Sequence, residues 1–202
     1  MQLHPRNGGI TMVNTAFSCD VTYEMLVQAI PVDFMMVVLS GEDAASVRLL
    51  LYVLVDLKTI DIRKLPSMIF ICERKFHSFE RYSDFLLVGN ARLWSPNLSY
   101  DLRVLIGSGM LELQSPLARI TNKLEREIGR LHLKAQEVRR ILTFMQKLSV
   151  LPLSKLRVAS VFIYLKNILN EEGIVSFLQG CGLTKQDIYE GLKWAKNLKL
   201  TR

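Results

Sequence analysis

The chain has 202 residues, of which half are hydrophobic, 22% are charged and few are aromatic. This length fits one domain with a proper core, or one domain with a helical extension, and we favour the second. The composition is typical of a helical globular protein, which excludes a disordered or fibrous chain, and the apolar runs fall well short of the roughly 20 residues that cross a bilayer.

The net charge of +7 is unevenly distributed along the chain. Residues 1–100 carry 9 Lys and Arg against 10 Asp and Glu, whereas residues 101–202 carry 17 against 9, so the two halves stand at −1 and +8. An anionic partner would therefore bind the second half. A polyanion such as DNA benefits most from such a field, although solubility alone also favours it.

The first half of the chain predicts a flexible leader and then helices. The leader, residues 1–20, lacks the apolar core of a signal peptide, and Met12 is an alternative start. The apolar run Val32–Leu39 fits either a buried strand or a helix. Caps, proline stops and apolar periodicity predict helices and one polar connection, in this order: helix Val21–Ile30, helix Asp43–Leu57, connection Lys58–Lys64, and a helix from Leu65 through Ile71.

The segment from Arg74 to Trp94 is rich in aromatic residues. Their spacing of three is typical of a helix, and we expect most of these side chains in the core. Gly89-Asn90 indicates a turn. Trp94, next to Arg92 and just before a polar cap, is the residue we expect to be an exposed anchor for a protein partner.

The stretch from Ser95 to Leu131 predicts a helix, a hairpin and a second helix. Ser95 or Asn97 can cap a helix with Pro96 in its first turn, and glycines at 107 and 109 can end it. Leucines 98, 102 and 105 with Ile106 form its apolar stripe. Two short runs, 110–113 and 117–120, flank a turn that contains a proline and predict a hairpin. This is the pattern of the recognition helix and wing of a winged helix-turn-helix.

Thr121 is expected to cap a long helix with one apolar face and one basic face. The basic face can contact phosphates or a protein partner, or it can be an ordinary solvated face. With the recognition helix and the wing, the predicted contacts to DNA or a partner are Arg103, Arg119, Lys123, Arg126, Arg130 and Lys134. Arg139 and Arg140, farther along the same helix, are predicted partner contacts beside Trp94.

The remaining residues predict further helices. Ser154 opens a helix Lys155–Leu169, a short apolar piece spans Ile174–Leu178, and Thr184 caps a last helix Lys185–Leu198. We therefore expect a mainly α protein: a winged helix-turn-helix with a small β-hairpin wing and a C-terminal helical extension. The domains would be a leader (1–20), a winged helix (21–131) and a partner-docking helical bundle (132–202).

No pattern in the sequence indicates catalysis. His4, His77 and His132 have no second ligand at metal-binding spacing, and Gly107-Ser108-Gly109 lacks the residues of a phosphate loop, so we expect no enzyme activity, metal or cofactor. The three cysteines are far apart and odd in number, which fits core thiols in a reducing cytoplasm.

Several short motifs between residues 85 and 123 carry a resemblance to a known family. They are Phe85-Leu86-Leu87, Ser95-Pro96-Asn97-Leu98, Asp101-Leu102, Leu105, Gly109, Leu111 and Ile120-Thr121-Asn122-Lys123. In this order they resemble the winged-helix middle components of three-component ABC ATPase defence systems, of which the Lamassu anti-phage and anti-plasmid family is a member. The resemblance implies an SMC-like or RecN-like ATPase and a nuclease-type effector as partners.

Two functions follow as alternatives. The first is a non-catalytic subunit that binds an SMC-like ABC ATPase and couples this ATPase to an effector in bacterial defence. Double-stranded DNA is a further candidate ligand of such a subunit. The second is a transcriptional regulator whose recognition helix reads the major groove through Asn97, Ser99, Tyr100 and Arg103. That helix offers few base-reading side chains, and Asp101 repels phosphate, which favours the first alternative.

Overall fold

The computed structural model describes residues 50, 53–76, 82, 84–124 and 136–198. In these ranges the protein is mainly helical, as the sequence predicts, and it contains two small antiparallel sheets. Residues 53–57 and 122–124 are also helical. The elements are β1 (Thr59–Asp61), α1 (Leu65–Lys75), β2 (Leu86–Val88), β3 (Arg92–Trp94), α2 (Pro96–Gly107), β4 (Leu111–Gln114), β5 (Leu117–Ile120), α3 (Gln136–Ser149), α4 (Leu153–Leu165), α5 (Glu171–Gly180) and α6 (Lys185–Asn197).

Helix α2 begins and ends where the sequence predicts. The Ser95 side chain accepts a hydrogen bond from the Leu98 amide at 3.0 Å, and Pro96 occupies the first turn, where its missing N–H is not needed. The helix ends at Gly107, and Gly109 takes a left-handed φ of +69° that a glycine adopts without strain. Three of the predicted stripe residues, Leu98, Leu102 and Leu105, are buried.

The predicted hairpin is strands β4 and β5, joined by a two-residue turn and paired from Leu111 to Ile120. A third strand, β1, pairs with β5, so the sheet order is β1-β5-β4. The expected polar connection Lys58–Lys64 is therefore wrong at its centre. The one strong apolar residue of strand β1 is Ile60, which lies opposite Ala118 and is buried with it. So short a strand forms only because β5 is there to pair with it.

The second sheet, a hairpin of β2 and β3, surrounds the Gly89-Asn90 turn that the sequence indicates, and the helical spacing of the preceding aromatic residues does not continue into residues 86–94. The Gly89-Asn90 turn decides the outcome, because Asn90 and Ala91 both adopt a left-handed backbone, which interrupts a helix. Burial of the aromatic residues is nevertheless confirmed for Tyr82 and Phe85, whereas Phe76 is half-buried and Phe79 lies outside the described residues.

The C-terminal helices differ from prediction mainly at their ends. Helix α4 ends at Leu165, four residues earlier than expected, and Asn170 caps α5. Its side-chain oxygen accepts a hydrogen bond from the Gly173 amide at 2.9 Å. The Thr184 cap of α6 is confirmed, with a 3.1 Å hydrogen bond from the Asp187 amide. Among the described residues, no helix is both long and apolar enough to cross a membrane.

One hydrophobic core continues from the sheet and α1 into the C-terminal helices. Ile141 and Met145 of α3, and Leu156 of α4, belong to the same buried cluster as Ile60 of β1 and Phe70 of α1. The hydroxyl groups of Ser67 in α1 and Ser160 in α4 form a buried pair at 3.0 Å. The expected domain boundary at residues 131 and 132 lies outside the described residues, and the helices that follow it pack into the core of the preceding part.

Candidate partner-binding and nucleic-acid-binding surface

The N-terminus of α2 is saturated by groups of the chain itself. Asp84 accepts a hydrogen bond from the Ser95 hydroxyl at 2.6 Å through one carboxylate oxygen, and from the Asn97 amide at 2.8 Å through the other. A carboxylate at this position stabilises the positive end of the helix dipole. The amide groups that could have bound an external phosphate there are therefore occupied by Asp84 and Ser95.

Tyr82 joins the same helix to α1. Its hydroxyl donates to Asp101 Oδ2 at 2.6 Å, and its backbone amide donates to Glu73 Oε1 at 3.0 Å, with all three residues buried. Burial raises the pKa of Tyr82, and the nearby Asp101 carboxylate raises it further. The phenol therefore remains a proton donor, and this buried network fixes the segment before β2 between the two helices.

Replacing Tyr82 with phenylalanine is expected to destabilise the protein by about 1.5–3 kcal/mol. The change removes only the hydroxyl, so the buried Asp101 carboxylate loses the short hydrogen bond that it accepts from Tyr82. A buried charged group that loses a donor costs more free energy than a neutral group would. Urea unfolding measures the effect. The matched control is Tyr189→Phe on the exposed side of α6, expected within about 0.5 kcal/mol of the unmodified chain. Equal midpoints for the two variants would contradict the role of this network.

Helix α2 exposes little of itself. Within its fully described span, Asn97 is the only residue in the exposed class. Ser99, Tyr100 and Arg103, the other predicted major-groove contacts, are half-buried. The Nε atom of Arg103 is buried without a hydrogen-bond partner among the described atoms. The helix therefore lacks a broad face of accessible side chains.

The structure separates the predicted basic residues from one another. Lys123 donates from Nζ to the Ser108 carbonyl at 2.8 Å, so it closes the C-terminal end of α2. Arg119 is exposed on β5, and Arg139 and Arg140 are exposed on α3. Arg126, Arg130 and Lys134 lie outside the described residues, so their contribution to a basic face stays a prediction.

Trp94 is half-buried on β3, opposite Leu86 of β2. The pairing register places Leu86 and Val88 on the same face of the hairpin as Trp94, and these two side chains are 49% and 39% exposed. The intervening Leu87 packs against the core from the other face. The exposure of β2 alternates, but its three residues are all apolar, so the sequence does not show which face is exposed.

The outer face of the three-stranded sheet carries a shallow groove of about 450 Å³. The register places Thr59 of β1 directly opposite Arg119 of β5, and Gln114 of β4 opposite Leu117 of β5. The groove is lined by Lys58, Thr59, Gln114, Leu117, Arg119, Ile120 and Asn122. Of these residues, the sequence analysis singled out Arg119 as a contact residue, because the rest depend on the pairing of β1 with β5.

Two carboxylates near the groove are already bound. Asp61 and Arg63 form an ion pair at 2.7 Å. Burial tends to raise the pKa of Asp61, but hydrogen bonds from the Arg63 side chain and backbone together outweigh burial and lower it. Glu112 lies opposite Arg119 in the register, and its carboxylate accepts a hydrogen bond from Gln114 at 3.3 Å.

The two described cysteines have the character of structural thiols. Burial and the neighbouring Glu73 charge raise the pKa of Cys72 to about 12, and partial burial raises that of Cys181. Neither is activated as a nucleophile at neutral pH. No group of three or more His, Cys, Asp or Glu residues that could hold a metal ion occurs in the described part of the chain, which does not include the three histidines.

Comparisons with known proteins leave the family of this chain open. No family model matches it, and neither does any curated protein or solved structure. What the chain binds is therefore inferred from the chemistry of its own surface.

Proposed function

We propose that this chain is a non-catalytic adaptor subunit of a cytoplasmic defence complex. It binds an SMC-like or RecN-like ABC ATPase and couples that ATPase to a nuclease-type effector directed against phage or plasmids. The resemblance between residues 85 and 123 and the middle components of such systems motivates the choice of partners. The surface of the protein supports an adaptor more than a sequence-specific DNA reader.

The order of elements supports a winged-helix module. Apart from β2 and β3, the order along the chain is helix (residues 53–57), strand β1, helix α1, helix α2, strand β4 and strand β5. The three strands form a sheet of order β1-β5-β4. A winged helix has this order, with α2 in the position of the recognition helix and the β4-β5 hairpin as its wing. The module departs from a plain winged helix by the β2-β3 hairpin inserted between α1 and α2, and by the short turn of the wing.

The limited exposure of α2 is the observation that carries the adaptor function. A helix that reads the major groove presents several side chains to base edges, most often Arg, Lys, Asn or Gln. Helix α2 presents Asn97 fully and Arg103 only in part. Sequence readout by this helix is therefore disfavoured, and the exposed apolar side chains elsewhere suit a protein partner better.

Two exposed apolar residues support a docking site at one end of the C-terminal helices. Val150 is 80% exposed just before α4, and Tyr189 is 64% exposed in the first half of α6. The beginnings of these two helices lie side by side, because Lys155 and Glu190 form an ion pair at 3.3 Å. A large exposed tyrosine is an anchor of the kind that protein interfaces use.

Co-purification tests the proposal. The chain is co-expressed with a tagged SMC-like ATPase from the same genome, and the amount retained is compared for the unmodified chain and the double variant Val150→Glu with Tyr189→Glu. We expect at least a tenfold loss of retention, because two charges would be buried without partners. The matched control is Gln179→Glu with Ser176→Glu on exposed positions of α5, which should leave retention unchanged.

Two results would overturn the adaptor function. One is the absence of an ATPase that retains the unmodified chain. The other is selective binding of the isolated chain to its own promoter at physiological salt, which would favour the transcriptional regulator instead.

A further inference from the structure

We propose that the groove on the outer face of the β1-β5-β4 sheet binds the phosphodiester backbone of a nucleic acid, with Lys58 and Arg119 as its two cationic contacts. This contact is independent of base sequence and is made by the sheet face instead of α2. The inference goes beyond the proposed docking to an ATPase and does not depend on it, because the isolated chain makes the contact.

Neither cation of the groove has a direct charge partner among the described residues. Both Lys58 and Arg119 are exposed, and neither side chain forms an ion pair or a hydrogen bond with any other residue that the structure describes. Asp61 is bound by Arg63 instead, and the Glu112 carboxylate has Gln114 as its partner. The two cations stand against one carboxylate, that of Glu112, which lies opposite Arg119 in the register, so a net positive charge remains at the groove and attracts an anion.

The neutral side chains of the groove select among anions. Thr59, Gln114 and Asn122 bring one hydroxyl and two amide groups to the same lining as the two cations, and no carboxylate lines it. Arg, Lys, Thr, Asn and Gln are the side chains that contact phosphate oxygens in protein–DNA complexes. An acidic peptide would use the cations, but it would bury more apolar surface than the aliphatic side chains of Leu117 and Ile120 provide.

Lys58 has a backbone conformation that is uncommon for a lysine. Its φ of +57° is left-handed, a conformation that costs a residue other than glycine or asparagine about 1–2 kcal/mol. Hydrogen bonds hold it there, from the Lys58 amide to the Leu54 carbonyl at 2.8 Å and from the Ile120 amide to the Lys58 carbonyl at 3.1 Å. Glycine or asparagine would adopt this conformation with less strain, so backbone preference does not account for a lysine at this position.

The net charge favours a polymer over a small anion. The chain carries +7 overall and +8 in residues 101–202, so a long anion is attracted by the field of the whole protein as well as by the groove. A free nucleotide or inorganic phosphate would contact the same side chains, but it would release few counterions. The salt dependence of binding therefore distinguishes these ligands.

Fluorescence anisotropy with a labelled 20-base-pair duplex of arbitrary sequence tests the inference, using the full chain across a series of salt concentrations. The groove variant is Lys58→Asn with Arg119→Gln. Asparagine retains the tolerance for a left-handed backbone, so this variant removes two charges without adding strain at residue 58. The matched control, Lys166→Gln with Lys193→Gln, removes two exposed charges from α4 and α6.

We expect the groove variant to bind the duplex on the order of tenfold more weakly at 100 mM salt. The slope of log K against log salt should fall by about 2, while the control stays close to the unmodified chain. Equal losses in the groove variant and the control would overturn the inference, because net charge alone would then explain binding. It would also be overturned by tighter binding of polyglutamate than of DNA, or by binding of ATP or inorganic phosphate without binding of the duplex. If the ATPase still retains the groove variant, a loss of DNA binding concerns the groove alone and leaves the adaptor function intact.

Discussion

Replacing Gly191 with alanine is expected to destabilise the protein by about 1–3 kcal/mol, although alanine is intrinsically the better helix former. Gly191 is a buried residue of α6 at its closest approach to α4. A Cβ atom added there would overlap the Cβ of Val158, lie 2.5 Å from its Cγ1, and come within 3.3 Å of the Lys155 carbonyl oxygen. Val158 is itself fully buried, so the two helices must move apart.

Chemical denaturation measures this loss, and two further variants test its cause. Gly180→Ala, at the end of α5, faces open space and should be neutral or slightly stabilising. Adding Val158→Ala to Gly191→Ala should return part of the lost stability, because the smaller side chain relieves the overlap. A Gly191→Ala protein as stable as the unmodified chain would show that α4 and α6 are not packed this closely.

Replacing Phe70 with alanine is expected to destabilise the protein by about 3–5 kcal/mol, the largest loss among these predictions. The ring is almost completely buried in α1. It packs edge-on against Phe85 at 5.2 Å between centroids, lies 6.0 Å from Tyr164 of α4, and has the Arg74 guanidinium 5.2 Å from its centroid. Its removal leaves a cavity where three segments of the chain meet.

The same variant tests whether the C-terminal helices form a separate unit. Of the two tryptophans, Trp94 lies on β3 and Trp194 on α6, so Trp94→Phe and Trp194→Phe each leave one reporter of unfolding. In a shared core, Phe70→Ala should lower the unfolding midpoint of both reporters equally. An unchanged midpoint for Trp194 would show that α6 unfolds independently, as expected of a separate docking bundle. Ile168→Ala on the exposed surface is the control and should change little.

Local signals in the sequence predicted the elements that local chemistry specifies. The Ser95 cap, Pro96 and the glycines after α2 fix that helix within a few residues, and the Thr184 cap does the same for α6. The β4-β5 hairpin was predicted because its two strands are adjacent in the chain. Strand β1 was missed because its three residues carry a single strong apolar side chain and owe their conformation to a partner far along the chain.

The candidate site was predicted only in part for the same reason. Arg119 stood out as a cation on the expected wing, but Lys58 lies in a segment that the sequence describes as a connection. Only the pairing of Thr59 with Arg119 brings the two together. Lys123 was assigned to a basic contact surface from its helical spacing, whereas the structure uses its ammonium group on the Ser108 carbonyl. Sequence spacing indicates which side of an element a residue occupies. It does not indicate whether the charged group of that residue already contacts another part of the chain.

The core that runs without interruption from the sheet into α6 has a mechanical consequence. A nucleic acid on the sheet groove would lie over the cluster that contains Ile60 and Phe70, and a protein seated beside Tyr189 would contact α6, which packs on that cluster at Ala195 and on a second cluster at Ile188 and Leu192. A change in the orientation of the nucleic acid would therefore be transmitted to the protein partner through the packed helices between them.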